Sequence, residues 1–191
     1  MSNEKVTLRD LVLDKPFAYK LSVMLESRLI GYKHFYLFCD EIIDVYTKPP
    51  YWIIQLAVTK YQASAISIVN HYLYSEPFIE NDPKLYDQYI ACLYLRYARN
   101  ELSWASFLCK SREYSDGTGS VKEPCEYFYD LLNDFERSEY SSELEKHQLF
   151  GVVEKFRSDI DAMNPIYQMF RGYYKKYVNR NLCSYYLGNK R

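Results

Sequence analysis

"EPCEYFYDLLNDFE", residues 123–136, contains the repeat that decides the fold class. Tyr127, Leu131 and Phe135 are spaced i, i+4 and i+8, so in an α-helix they form one apolar stripe that must pack against another element. Pro124 stands at a position where helices often begin. The segment therefore predicts an amphipathic α-helix, and the same period recurs elsewhere in the chain.

Helix signals are frequent outside this segment, and strand signals are poor. Prolines lie near several predicted helix starts, where the missing N–H costs nothing. The pattern predicts an all-α fold: an irregular bundle of about eight to nine helices in a single domain over residues 1–191, with a basic, tyrosine-rich C-terminal segment from about residue 171. The predicted helices run from Asp14 to Gly31, over 34–46 before "TKPP", from Pro50 through "YWIIQLAVTKY", over "SAISIVNHYLY" at 64–74, from Asp82-Pro83 to about Asn100, over 100–114, from Pro124, from Ser142 to Asn164, and from Pro165 to about Asn179.

Two of these boundaries rest on short motifs. "SDGTGS" at 115–120 predicts a loop, and Ser142 with Glu145 has the Ser-x-x-Glu spacing of a capping box. On the third predicted helix, Trp52, Ile53, Leu56 and Ala57 are expected to face inward.

Composition narrows the class of protein. Of 191 residues, 48% are hydrophobic and 26% charged, which is typical of a globular protein with its own core. The net charge of −1 excludes a wholly basic nucleic-acid binder. Neither a signal-like apolar region near the N-terminus nor a run of about 20 apolar residues occurs, so the expectation is a cytoplasmic protein without a membrane segment.

The five cysteines are odd in number and widely spread, and they form no CxxC pair. This argues against a disulfide framework or a zinc site and predicts buried free thiols. Tyrosine is unusually common, with 22 residues, and it suits both half-buried positions and recognition surfaces. The cysteines are Cys39, Cys92, Cys109, Cys125 and Cys183.

Motifs for catalysis are missing from the sequence. His34, His71 and His147 stand outside any HExxH or other metal-ligand spacing. Gly117 and Gly119 lie in a loop that lacks the pattern of a phosphate-binding loop. The expectation is therefore a protein that is not an enzyme, with no catalytic residue, metal or cofactor.

Acidic residues form a second row on the opening helix. Glu126, Asp130 and Asp134 repeat at i, i+4, and from Glu123 to Glu145 eight acids stand against one base, Arg137. Like charges at this spacing repel by a few tenths of a kcal/mol, while an acidic face attracts a basic protein. The alternatives are an ordinary solvated helix face, or a face that packs against the basic end of the chain.

The C-terminal segment offers the opposite charge. From Arg171 onward it holds six Lys or Arg residues, no acid, and interleaved tyrosines. Cations for phosphates and rings for bases are what single-strand binding needs. The alternative is a last helix whose Tyr173 and Tyr177 pack inward while its cations suit the negative helix C-terminus.

Three stretches carry a resemblance to known proteins: "LIGYKHFYLFCDEIIDVYTKPPYWIIQLA" at 29–57, "LYLRYARNELSWASFLCK" at 93–110, and the opening segment. Over roughly the first 140 residues the chain resembles the small all-α immunity proteins of bacterial toxin systems, including contact-dependent inhibition. The first stretch also resembles a helical bacterial family associated with toxin loci. The resemblance implies a cytoplasmic protein that neutralises one cognate toxin, often a nuclease, and has no catalytic site. It transfers no residue position by position.

We expect the toxin to be basic and to meet an acidic, tyrosine-rich surface, because a nuclease carries cations that hold phosphate. The alternative function is an RNA-binding helical module that uses the C-terminal segment, and a third is a helical adaptor for another bacterial protein. The expected toxin contacts are Glu126, Asp130, Asp134, Glu136 and Glu139 with Tyr127, Tyr129 and Tyr140; the RNA alternative uses Arg171, Tyr174, Lys175, Lys176 and Arg180.

Overall fold

The structure is a computed structural model that describes residues 11–78 and 86–188. In these residues the chain forms eight α-helices and no β-strand, which confirms the all-α prediction. The helices are α1 (Lys15–Glu26), α2 (Tyr32–Val45), α3 (Tyr51–Ala57), α4 (Gln62–Leu73), α5 (Asp87–Tyr97), α6 (Trp104–Thr118), α7 (Cys125–Arg137) and α8 (Ser142–Gly188).

Contacts divide the chain into two compact units, which are described separately. Unit 1 contains α1 to α4 and the part of α8 from Pro165 onward; unit 2 contains α5 to α7 and the part of α8 up to Asn164. A single domain over the whole chain stays a prediction.

Helix starts follow the local signals in the sequence. The Asp14 carboxylate accepts a hydrogen bond from the backbone N–H of Phe17 at 3.0 Å, and Ser103 Oγ accepts one from the N–H of Ser106 at 3.2 Å. Such side-chain caps satisfy N–H groups that have no partner within the helix. Pro50 and Pro124 precede α3 and α7, as expected from their fixed φ and missing N–H.

Aromatic side chains fill the core of unit 1. The Phe38 ring meets Phe170 from α8 at 5.1 Å and Phe17 from α1 at 6.0 Å between centroids. Gln62 on α4 donates its amide to the carbonyls of Leu25 and Ile30, which fastens the turn between α1 and α2. On α3 the buried side chains are those predicted to face inward: Trp52, Ile53, Leu56 and Ala57.

The core of unit 2 is built around Trp104 and Phe107 of α6, whose rings stack at 4.8 Å. Trp104 Nε1 donates to Gln148 Oε1 at 2.8 Å, and Gln148 Nε2 donates to the carbonyl of Leu131 at 2.9 Å. One buried amide therefore joins α6, α7 and α8. The remaining buried members of this cluster are Ile90, Leu93, Leu108, Phe128, Phe135, Val152 and Phe156.

Several predicted boundaries were wrong. α1 ends at Glu26, before Gly31, because Arg28 adopts a left-handed φ of 58° and Leu29 N–H bonds to Met24 O at 2.9 Å. Gly31 instead precedes α2 in an extended conformation. The expected start at residues 82–83 lies outside the described residues.

The last third of the chain contains the other corrections. The 115–120 loop is shorter than predicted, because α6 continues to Thr118 and ends at Gly119 with φ 59°. Glu145 does not complete a capping box with Ser142: α8 already begins at Ser142, and the Glu145 carboxylate accepts the Tyr97 hydroxyl.

Pro165 and the thiols depart from the sequence prediction as well. α8 continues through Pro165 to Gly188, although a proline within a helix removes one backbone hydrogen bond. Cys39 and Cys92 are buried as free thiols, but Cys109 and Cys125 are partly exposed. The side chain of Cys183 is outside the described part of the chain.

Among the helices of the described residues, none combines the length and the apolar character that crossing a membrane requires.

Candidate functional site

The most polarised element of the described chain is α7, which lies in unit 2. Its apolar face packs along α6 and buries Phe128 and Phe135, while Leu131 and Leu132 are partly buried beside them. At about 100° per residue, these four side chains lie within an arc of about 100° on one side of the helix. The side opposite this arc carries Glu126, Asp130 and Asp134, so the packing of the apolar side chains fixes the orientation of the acidic row.

Every acid predicted for the partner contact is exposed. Glu126, Asp130 and Asp134 lie on one side of the outer half of α7, and Glu136 lies toward its other side. Asp134 has a partner in Arg137 at 3.7 Å, but both groups are largely in water, where such a pair contributes little. The row therefore presents a net negative charge to solvent.

Glu139 and Tyr140 belong to the turn that follows α7 rather than to the helix. Both adopt left-handed backbone conformations, with φ 54° and 63°, and Tyr140 N–H bonds to Phe135 O at 3.0 Å. The Tyr140 ring meets the Phe135 ring edge-on at 5.4 Å and is still 59% exposed. The turn thus holds one acid and one supported aromatic ring at the end of the row.

The three tyrosines predicted for the contact are not equivalent. Tyr129 is exposed, and the Arg112 guanidinium lies 6.0 Å from its ring centre. Tyr127 packs against the unit 2 core, with Lys155 Nζ 5.0 Å from its ring centre, and burial with the nearby Glu123 charge raises the pKa of Tyr127 to about 12. Tyr127 therefore supports the helix from its inner side and is not part of the exposed row.

We define the acidic surface as Glu126, Asp130, Asp134, Glu136, Glu139, Tyr129 and Tyr140.

A shallow cavity of about 250 Å³ adjoins one edge of this surface, between α6 and α7. The sequence analysis did not predict the two acids of α6 at this cavity, Glu113 and Asp116, because they are distant in sequence from the row on α7. Their i, i+3 spacing, which places them on one face of a helix, could have indicated them. The lining residues are Arg112, Glu113, Asp116, Cys125, Glu126 and Tyr129.

Hydrogen bonding sets the charge states at this edge. The pKa of Glu126 is held below its ordinary value by its own backbone N–H and by the Cys125 thiol, which donates to it at 3.4 Å. The same contact with Glu126, then burial, raises the pKa of the Cys125 thiol. The carboxylate is charged and the thiol protonated at neutral pH, so the edge is acidic and its sulfur is a weak nucleophile.

The C-terminal segment has its rings engaged within unit 1. Tyr174 stacks on His34 at 4.7 Å, and Tyr177 meets the Tyr32 ring edge-on at 6.0 Å. Tyr173 is buried, and burial followed by the Glu41 charge raises its pKa. Rings that are already stacked on α2 are poor platforms for bases.

The cations of that segment differ in their surroundings. Lys176 Nζ lies 3.4 Å from Glu41 and 4.8 Å from the Tyr173 ring centre, and Arg171 donates to Gln168 at 3.3 Å. Lys175 and Arg180 are exposed. This arrangement matches the inward-packing alternative for the tyrosines, and the RNA-binding function stays a prediction.

Among the side chains that the structure describes, no three His, Cys, Asp or Glu groups come together where they could hold a metal ion. The histidines lie on different helices: His34 on α2, His71 on α4 and His147 on α8. Comparison with protein families, curated proteins and solved structures finds no match to this chain.

Proposed function

We propose that this chain is an immunity protein that binds a basic bacterial toxin, a nuclease, in the cytoplasm and neutralises it through the acidic surface. The observation that carries the proposal is the exposed row of carboxylates on α7 and the following turn, to which the described residues supply one weak counter-ion, Arg137. Carboxylates without strong internal partners are available to the cations of another protein.

Electrostatics supports this choice of partner. A nuclease must present Lys or Arg to the phosphates of its substrate, so its active face is complementary to a carboxylate row. The row covers two turns of a helix with a rigid apolar back, so its charges keep a fixed spacing. Charge complementarity of this kind accelerates association and selects the partner more than it adds to affinity.

Two exposed rings give the surface its candidate anchors. Tyr129 lies beside Arg112, and Tyr140 lies against Phe135, so each ring is held before a partner arrives. Aromatic side chains that lose little freedom on binding are common among the residues that dominate interface energies. We expect Tyr129 and Tyr140 to contribute affinity, while the acids set the rate and the salt dependence.

The test begins with capture of partners. The tagged chain is expressed in its native host, recovered at moderate salt, and bound proteins and RNA are identified. The proposal requires a stoichiometric protein whose expression alone arrests growth and whose effect this chain reverses. Recovery of RNA without such a protein, or of a stable partner that is not toxic, contradicts it in favour of the RNA-binding module or the adaptor.

Charge reversal then locates the surface. Asp130→Lys with Asp134→Lys should slow association at least 10-fold at low salt and flatten its salt dependence, because the steering charge is inverted. The control pair is Asp44→Lys with Asp161→Lys, which changes net charge equally at two exposed sites outside the acidic surface. Equal effects of the two pairs, or no effect of either, would place the contact elsewhere.

A further inference from the structure

The outward side of α3, in unit 1, lacks the charged residues that a surface helix normally carries. Its inward side is the buried set that begins with Trp52. Opposite that set, Tyr51, Ile54 and Val58 are 72%, 39% and 81% exposed, and at about 100° per residue they lie within an arc of about 60°. A helix that is apolar on all sides is normally covered on all sides, by protein or by lipid. We call these three residues the α3 face.

Charge is almost absent from the chain around the α3 face. Residues 45–75, which include α3 and α4, contain no Asp or Glu, although 25 acids in 191 residues correspond to about four in a stretch of this length. The charged side chains of the stretch at neutral pH are Lys48 and Lys60, both exposed, which precede and follow the face. Among the described residues no carboxylate lies within 4.0 Å of either ammonium. The face is therefore an apolar centre with a cation available at each end.

The uncharged surface also extends from α3 to α4. Tyr51 and Gln55 line one side of a second cavity, of about 330 Å³. Ile68 and Tyr72 of α4 line it as well, together with the buried Trp52, and no Asp or Glu is among its lining residues. The region without acids is thus wider than one helix face.

We propose that the α3 face binds the surface of a bilayer that contains anionic phospholipid. The apolar side chains enter the boundary between headgroups and acyl chains, the Tyr51 hydroxyl stays among the headgroups, and Lys48 and Lys60 meet phosphates. With seven residues α3 is about 10 Å long, so it lies in the interface and does not span the bilayer. The acidic surface takes no part in this contact, so the proposal is independent of the proposed function.

Two other partners fit the α3 face less well. In a symmetric contact with a second copy the same patch meets itself, so the terminal lysines of one chain meet those of the other, and residues 45–75 contain no acid to compensate. A specific protein partner normally matches a polar rim with hydrogen bonds, whereas Gln55 is the one amide side chain that α3 offers. A bilayer requires apolar area and cations, and the face supplies both.

Co-sedimentation of the full chain with extruded vesicles tests the proposal. The probe is phosphatidylcholine with about 30% phosphatidylglycerol, and pure phosphatidylcholine is the control. We expect half of the protein to be bound at about 1 mM of the anionic lipid mixture at low salt. Binding should be at least 5-fold weaker to the neutral vesicles, and it should weaken as salt screens the lysines.

Two variants with matched controls locate the binding. Val58→Glu should weaken it at least 10-fold, whereas Phe150→Glu, which places the same charge at a 69% exposed apolar site on α8, should change it by less than about 2-fold. Lys60→Gln should weaken it about 5-fold, because one cation near an anionic surface is lost. Lys110→Gln, at an exposed lysine on α6, should change it by less than about 2-fold.

Three results would overturn the proposal. The first is no co-sedimentation with the anionic vesicles up to about 5 mM lipid. The second is equal binding by Val58→Glu and Phe150→Glu, which would assign the binding to another surface, such as the basic C-terminal segment. The third is a dimer in sedimentation velocity that Val58→Glu dissociates, which would assign the face to a second copy. If circular dichroism shows that Val58→Glu does not fold, Val58→Ser replaces it, with an expected loss of about 5-fold.

Discussion

Lys122→Met removes the only cation that Asp87 and Asp159 share within the described part of unit 2. Lys122 Nζ lies 2.6 Å from Asp159 Oδ2 and 3.7 Å from Asp87 Oδ2, and it stands 4.4 Å from the centre of the Phe156 ring. Both carboxylates are buried, at 5% and 8% exposed. Met keeps the apolar stem of the side chain, so the change removes mainly the charge and its hydrogen bond.

The magnitude follows from these contacts. A hydrogen bond between charged groups contributes about 1.5–3 kcal/mol, and a cation over a ring about 0.5–1 kcal/mol at a partly exposed site. Removing one partner of a fully buried ion pair costs about 3–5 kcal/mol, because it leaves the other charge buried and unpaired. The Lys122 side chain is 33% exposed, so water can solvate the two carboxylates in part after the ammonium is removed, and the cost is smaller. We expect the free energy of unfolding to fall by about 2–3 kcal/mol at pH 7, and the melting temperature by about 5–10 °C.

The loss should depend on pH. Burial raises the pKa of Asp87 above its ordinary value in spite of the Lys122 contacts, and removing Lys122 raises it further. A carboxyl whose folded-state pKa is raised contributes full stability below its unfolded value, near 4, and loses it as the pH rises through the folded-state pKa. The deficit of Lys122→Met should therefore be smaller near pH 4 than at pH 7.

Thermal unfolding followed by circular dichroism at pH 4, 5.5 and 7 measures this difference. Lys110→Met is the control, because Lys110 is exposed on α6 and makes no ion pair within 4.0 Å in the described residues; it should change stability by less than about 0.5 kcal/mol. If Lys122→Met matches this control, or if its deficit is the same at pH 4 and pH 7, the buried-charge reasoning is refuted.

Two further predictions concern the ends and joints of helices. Gly117→Ala should stabilise the protein by about 0.5–1 kcal/mol, because Gly117 is helical and an added Cβ meets nothing within 4 Å. Gly119→Ala should destabilise the protein by about 1 kcal/mol, because the φ of Gly119 is +59°. Urea unfolding of both variants checks that the two changes have opposite signs. Gln148→Leu should cost about 1–3 kcal/mol by the same assay, because it leaves the buried Trp104 indole unpaired and removes the second hydrogen bond of the Leu131 carbonyl. A cost below about 0.5 kcal/mol would mean that water replaces the amide.

Local signals in the sequence predicted much of the helical structure. Asp14, Pro50 and Pro124 marked starts that the structure confirms, because caps and prolines act within a few residues. The buried face of α3 was also predicted correctly, since its period fixes which side chains share a side. For the same reason the acids of α7 could be placed on its outer half before any packing was known.

Predictions failed where a distant contact outweighed a local preference. Pro165 predicts a break, yet the helix continues, with the buried Met163 and Tyr167 on either side of the proline. Glu145 has capping-box spacing, yet its carboxylate takes the Tyr97 hydroxyl from α5 instead. Packing and hydrogen bonds between elements exceed the few tenths to few kcal/mol that such local signals contribute.

The sequence by itself determined the helical class, most helix starts and the acidic character of α7, because these depend on spacing and on short-range backbone chemistry. Only the tertiary structure decided that Tyr127 packs inward while Tyr129 stays exposed, and that Trp52 is buried beside a cavity with its indole N–H unpaired. Those outcomes depend on which helix lies against each side chain, and elements distant in sequence are brought together only by folding.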